Sequence, residues 1–253
     1  MYILCSVLQI GIKNYHKYKN VIDKDYEDYL EIKEEFEEGR EMYGYRRIKK
    51  AFLIKYGRLV NHKKILRIMS KYNIKVRYKD VFKINYVKKS IEQNLKPNLL
   101  QRDFSASRLN EKWSTDITYI VHNRKRAYLS SIMDLYTNNI IASKISYRID
   151  NKLVIDTLND ALSKQKDVTG LIIHSDQGFQ YTSYEYKQVC ESNGINISMS
   201  SKATPADNAP IESFHANLKR ETLYSYNITS LKEYIELVKD WILFYNTNRI
   251  RLS

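Results

Sequence analysis

Cysteine is nearly missing from this chain: only Cys5 and Cys190 occur in 253 residues, far apart and each in an apolar context. A disulfide framework and a zinc-finger pattern are thereby excluded, because both need several thiols at set spacings. No apolar run reaches the roughly 20 residues that a spanning helix needs. The opening stretch MYILCSVLQIGIK has neither a basic leader nor a small-residue cleavage site, so the expected location is intracellular. Seven glycines and three prolines are few beside 22 tyrosines and abundant Ile, Lys and Asn. That bias reads as coding drift in an AT-rich genome, and it removes the tyrosine excess as evidence for base stacking. Acids are in deficit too: 29 Asp and Glu stand against 42 Lys and Arg, leaving a formal charge of +13.

What is present points to a globular protein. At 43% hydrophobic residues the chain can bury one substantial core or two smaller ones, and two domains are expected. The positive balance favours a polyanionic partner, either nucleic acid or an acidic membrane surface. The membrane surface is the weaker option, because no amphipathic segment sets Trp or Phe opposite a basic face.

The first structural grammar is helical. In YGYRRIKKAFLIKYG, Ile48, Phe52 and Tyr56 recur at four-residue spacing, with Arg46, Arg47, Lys49 and Lys50 turned elsewhere. Gly57 is placed to end that helix. Asn61 can cap the next, NHKKILRIMSKYNI, whose Ile65, Met69 and Tyr72 form a stripe while Lys63, Lys64, Arg67 and Lys71 lie off it. Two short helices joined tightly suggest helix-turn-helix around residues 43–72. A small helical bundle whose basic residues merely face water fits the same geometry. Residues 1–79 are therefore expected to form a helical DNA-binding region, and 80–108, including KPNLLQRDFSASR, a linker.

From residue 109 the pattern changes. KWSTDITYIV, RAYLSSIMDLY and NIIASKISYR read as three consecutive strands, followed by a helix in NKLVIDTLNDALSKQ and a strand in GLIIH. A helix around SYEYKQVCESNG, a short strand INISMS and two C-terminal helices complete the series. A meander followed by alternating helices and strands implies an α/β domain, a mixed five-stranded sheet with helices packed on it.

Three acids stand out by context. Asp116 lies within the first strand, where Asp is depleted and a buried carboxylate needs a partner or a metal. Asp176 follows a strand in TGLIIHSDQGFQYTS, where an acid is more often a turn-former or helix cap. Glu212 falls near the start of a helix in PADNAPIESFHANLKRE, with His215 and Lys219 on its own face; Asp207 or Asn208 can cap that helix. Among 29 acids, context alone selects none of them with certainty.

Taken together, YGYRRI, NLLQRDF, WSTDITYI, IMDLYT, HSDQGFQYTS, DNAPIESFHANLKRE and FYNTNR cover nearly the whole chain. In order and content they resemble the DDE transposases of the retroviral-integrase superfamily, specifically the OrfB-type transposases of copy-out, paste-in bacterial insertion sequences. The resemblance implies a ribonuclease-H-like integrase catalytic core over 109–253, preceded by the helix-turn-helix-like domain. It implies that Asp116, Asp176 and Glu212 form a metal-binding catalytic triad, with no protein nucleophile. Two Mg²⁺ ions, replaceable by Mn²⁺, suit such a set, because hard oxygen ligands can hold them roughly 4 Å apart across an in-line phosphoryl transfer. Lys219 is then expected near the scissile phosphate. Arg46, Arg47, Lys49, Lys50, Lys63, Lys64 and Arg67 are the candidate DNA contacts.

The implied partners are double-stranded DNA, both the element's terminal repeats and the target, and further copies of the chain in a homo-oligomer on DNA. Fusion to the product of an upstream reading frame also belongs to the pattern. The implied setting is the bacterial cytoplasm, at the nucleoid when bound to DNA. Two alternatives stay open: a sequence-specific DNA-binding protein with an idle core, and a ribonuclease-H-like nuclease that cuts without joining. Asp134 in IMDLYT is expected to serve a turn, and His174 to be structural or to sit behind the metal ligands. His215 is a lesser candidate.

Two departures accompany the resemblance. Ser201 and Ala203 stand where relatives often carry Arg and Gly. The chain also stops at RIRLS, where the family continues, so a truncated copy is expected, its last helix docked through Leu231, Ile235, Val238 and Ile242, the basic NTNRIR emerging after it, and packing or DNA engagement weakened near Arg249 and Arg251.

Overall fold

The computed structural model describes residues 23–77, 95–165, 167–201 and 204–252. Cys5, Ala203, the first part of the expected DNA-binding region and residues 80–94 of the expected linker lie outside them. The chain divides into two compact units, one running to Arg77 and including the end from Ile250, the other covering the residues between.

The first unit holds α1 (Tyr26–Glu38), α2 (Tyr45–Tyr56) and α3 (His62–Lys71). Gly57 ends α2 in the left-handed conformation at φ 61°, a position that glycine occupies without strain. Its N–H donates to the Leu53 carbonyl and that of Arg58 to the Phe52 carbonyl. Asn61 caps α3, its Oδ1 accepting the Lys63 N–H at 2.9 Å. Ile32, Phe36, Ile48, Phe52, Ile65 and Ile68 make the core. Tyr56, expected in the apolar stripe, is instead 47% exposed. Four-residue spacing precesses about 40° per step, so the third member of such a row has rotated off the buried face, and Ala51 is buried there instead. Ile250 N–H donates to the Tyr43 hydroxyl at 2.7 Å, which ties the chain end into this unit.

The second unit is built on a five-stranded sheet in the order β3-β2-β1-β4-β5. β1 (Lys112–His122), β2 (Lys125–Asp134) and β3 (Asn139–Ser146) form an antiparallel meander; β4 (Ile172–Ser175) and β5 (Asn196–Met199) add to β1 in parallel. Strand alternation sends Trp113 and Ile117 to one face, where α4 (Asn151–Lys164) and α5 (Tyr184–Ser192) cover them. Ile120 goes to the other, under α6 (Ala209–Glu221) and α7 (Leu231–Thr247). Each face thus has its own core. Residues 95–108 also belong here: Leu100 is buried with α6 and α7, and Met199 N–H donates to the Pro97 carbonyl at 3.2 Å beside β5.

The apolar face of α7 docks as expected, with Leu231, Ile235, Val238 and Ile242 buried and Trp241 and Tyr245 among them. Arg249 does not emerge to engage DNA. It is 6% exposed and grips Glu221 at the end of α6, Nε to Oε2 at 2.9 Å and Nη2 to Oε1 at 2.7 Å. The guanidinium also lies over the Trp241 and Tyr245 rings, 5.6 and 5.4 Å from their centroids.

Candidate active site

The β1 and β4 ladder aligns Ser114 with His174. Asp116 lies two residues further along β1, and Asp176 follows directly after the end of β4. Asp116 is 8% exposed and Asp176 half-buried. The Asp176 Oδ1 accepts the Gly178 N–H at 2.9 Å, so the carboxylate braces the turn that follows it. A Cβ at Gly178 would come within 2.9 Å of that same oxygen, which is why the turn takes glycine.

α6 packs on β1. His215 is buried, its Nδ1 3.4 Å from Asp116 Oδ2 and its Nε2 3.4 Å from Ser131 Oγ. Lys219, one turn further, is half-buried; burial pulls its ammonium below the ordinary lysine range, opposed by the charge of Asp116. Glu212 is on the same helix and exposed. Among the described residues, no three His, Cys, Asp or Glu side chains stand close enough to hold a metal ion. Asp116 and Asp176 each act electrostatically on the Tyr181 phenol, while Glu212 is exposed on the helix.

Tyr181, in the core with Trp113 and Ile117, is a neighbour of the candidate site that sequence reasoning passed over. Its hydroxyl lies 3.3 Å from Thr115 Oγ1, and burial, then the charges of Asp116 and Asp176, hold the phenol well above its usual range. Its only signal was its place five residues after Asp176. Asn208 was read as a helix cap, yet makes no side-chain cap bond. The short 3₁₀ turn Pro205–Asn208 runs straight into α6, and the amide turns to β1 instead. Asp207 does not cap either; it accepts from Arg102 Nε at 2.8 Å and the Ser201 N–H at 3.1 Å.

His174 is fully buried, Nδ1 2.8 Å from Ser198 Oγ on β5 and Nε2 3.3 Å from Ser200 Oγ just past that strand. Burial lowers its pKa to about 4, which leaves the ring neutral and structural. Asp134 is likewise structural: it accepts the N–H groups of Asn110 and Thr137, each at 2.9 Å.

The basic side chains of the helical unit are variously engaged. Arg67 pairs with Asp25, Lys64 with Asp28 at 2.7 Å, and Lys50 Nζ donates to the Arg251 carbonyl at 2.8 Å. Arg46 packs on Tyr45, and Arg47 donates to the Met42 carbonyl. Lys63 is exposed and Lys49 half-buried; neither has an ion-pair partner among the described residues.

Residues 106–205 match one integrase core domain family, 193–251 match another family of the same description that overlaps it, and 23–81 match an HTH-like domain. The InsK protein of insertion sequence IS150 from Escherichia coli K12 is 36% identical over 88% of this chain and 77% of its own length. The chain belongs to the insertion-sequence transposase family. A transposase for insertion sequence element IS904 from Lactococcus lactis is 35% identical over 87% of this chain and 86% of its own. Among solved structures, the HTLV-2 integrase catalytic core domain in complex with magnesium is 17% identical at a TM-score of 0.43, over 56% of this chain and 88% of that one. As an integrase-core transposase the protein is a polynucleotidyl transferase, and its core is the domain that carries Asp116, Asp176 and Glu212. No helix among the described residues is long and apolar enough to cross a membrane.

Proposed function

We propose that this transposase cleaves DNA strands at the ends of its element and joins them to target DNA, using Asp116, Asp176 and Glu212 to hold Mg²⁺. The observation that supports the reading is the parallel pairing of β1, which carries Asp116, with β4, which ends immediately before Asp176, with α6 packed on β1. The carboxylate oxygens of the two aspartates fit a hard divalent cation, and a buried acid at the position of Asp116 is costly without one or a cationic neighbour. Bound there, two such ions would stabilise the attacking and leaving oxygens of an in-line displacement.

The chain's own residues supply the rest. Glu212, in the first turn of α6, would complete the ligand set. Lys219 offers a cation beside Asp116 for the scissile phosphate. Water or a DNA 3′-hydroxyl is the nucleophile. Within the helical region, residues 43–79 recognise the terminal repeats through Arg46, Arg47, Lys49, Lys50, Lys63, Lys64 and Arg67, and the stretch from residue 80 leads into the core, which residues 95–108 already join. The protein works as a homo-oligomer on DNA at the bacterial nucleoid, with Mn²⁺ able to replace Mg²⁺ and an upstream-frame product as a possible fusion partner.

The test is a set of strand-cleavage and joining assays on Asp116→Asn, Asp176→Asn and Glu212→Gln. Each is expected to lose both reactions while end binding stays near the parent level, and a chelator is expected to stop the parent enzyme. Near-normal joining by any one variant removes that residue from the triad. Cleavage without joining by the parent makes the protein a nuclease; end binding with neither reaction makes it a DNA-binding protein with an idle core.

A further inference from the structure

We propose that Asn208 is a positioning residue that fixes the α6 helix, and with it Glu212, relative to the strand carrying Asp116. The inference rests on the metal-triad reading and adds a residue that does not itself bind the metal. Asn208 is 2% exposed. Its Oδ1 accepts the Ser114 hydroxyl at 2.5 Å and its Nδ2 donates to the Thr115 carbonyl at 3.1 Å. Those two residues lead directly into Asp116. On the other side Asn208 is the last residue before α6, and Glu212 stands one turn inside that helix.

The residue type follows from the two bonds. An amide can accept from a hydroxyl and donate to a carbonyl at once; a carboxylate has no donor for Thr115, and a serine is too short to bridge both. Asparagine at a helix start would ordinarily cap its own helix. Here it forgoes that bond and spends both polar atoms on β1. The neighbouring Asp207 is anchored separately by Arg102 and the Ser201 N–H, so the clamp at Asn208 is distinct from the support of the preceding turn. Groups that orient metal ligands without touching the metal govern how tightly it is held.

The experiment compares the full chain with Asn208→Ala, Ser114→Ala and Asp116→Asn. Mn²⁺ binding is titrated by electron paramagnetic resonance, cleavage is measured against Mg²⁺ concentration, and thermal unfolding serves as the control for folding. Asn208→Ala is expected to weaken Mn²⁺ binding about 10-fold to 100-fold and to raise half-saturating Mg²⁺ in step. Ser114→Ala, which removes one of the two bonds, should shift both in the same direction by less, and it decides the matter alone if Asn208→Ala does not fold. If both variants bind Mn²⁺ as the parent does while Asp116→Asn does not, Asn208 has no positioning role although the metal reading stands. If the parent binds no Mn²⁺, or Asp116→Asn binds it equally well, the metal reading fails and this inference with it.

Discussion

Arg67 and Arg249 each hold a carboxylate with two nitrogens, in opposite settings. In the helical unit Arg67 joins α3 to Asp25 just before α1, with contacts of 2.6 and 2.7 Å. Its side chain is 57% exposed. In the core unit Arg249 joins the end of α7 to Glu221 on α6 at comparable distances, but the two side chains are 3% and 2% exposed. The geometry is the same and the energetics are not. Water and salt compete for the first pair at every moment, whereas the second can be separated only by leaving a charge in an apolar interior. An arginine count therefore says little about how much cationic surface is offered to DNA; burial and pairing decide it.

The largest effect is expected where the buried pair is broken. Arg249→Met leaves the Glu221 carboxylate buried without its cation and should cost about 3–5 kcal/mol. Replacing both partners, Arg249→Met with Glu221→Leu, should regain most of that loss, since no stranded charge remains. Urea unfolding followed by tryptophan fluorescence isolates the core unit, because the chain's two tryptophans, Trp113 and Trp241, both lie in it. A single variant that loses less than about 1 kcal/mol would show that water reaches the pair as it reaches Arg67.

The same contrast marks what the sequence could reveal. Helix ends were legible at Gly57 and Asn61, because a left-handed terminus and a capping amide act through a few local bonds. The five strands were legible as apolar runs. The triad was implied by resemblance alone, and the parallel pairing of β1 with β4 was not legible, since it joins strands far apart in the chain. Burial of Arg249 was hidden for a similar reason: a basic residue in NTNRIR looks solvent-bound until α6 supplies Glu221. Asn208 was misread because capping is the commoner use of asparagine at a helix start, and its true partners lie on β1.

An intermediate case sharpens the scale. Glu35 is 1% exposed in the helical unit, and it receives Lys55 at 2.9 Å and the Tyr56 hydroxyl at 3.3 Å. The lysine is partly exposed and also contacts Glu38. Lys55→Met removes the cation from a buried acceptor that keeps one hydroxyl, so a loss of about 1–3 kcal/mol is expected. Far-UV circular dichroism reads it as a transition separate from the core unit's, which tryptophan fluorescence follows. A loss equal to that of Arg249→Met would mean that burial of the carboxylate alone sets the cost, whatever the exposure of its partner.

The smallest stability effect is expected at the exposed clasp, and there function should move instead. The hydrogen-bonded Arg67 guanidinium, then the Lys71 ammonium, hold the Asp25 carboxyl well below the usual carboxylate range. Its contribution is thus present above the unfolded value of about 3.9 and is lost only as pH falls through the lower folded value, so stability from this clasp should be flat from neutral pH down to mild acid. Lys71 is raised in turn, to about 12, by Asp23 and then Asp25. Asp25→Asn removes the counter-charge without removing either cation. The unfolding midpoint should barely change, and any change should vanish at high salt. If α3 faces DNA, Arg67 is freed for phosphate while Lys71 keeps Asp23, so binding to element ends should tighten and the slope of log K against log salt should steepen by about 1 unit. An unchanged slope would remove Arg67 from the DNA contacts and leave it, like Arg249, an arginine whose carboxylate is its main partner.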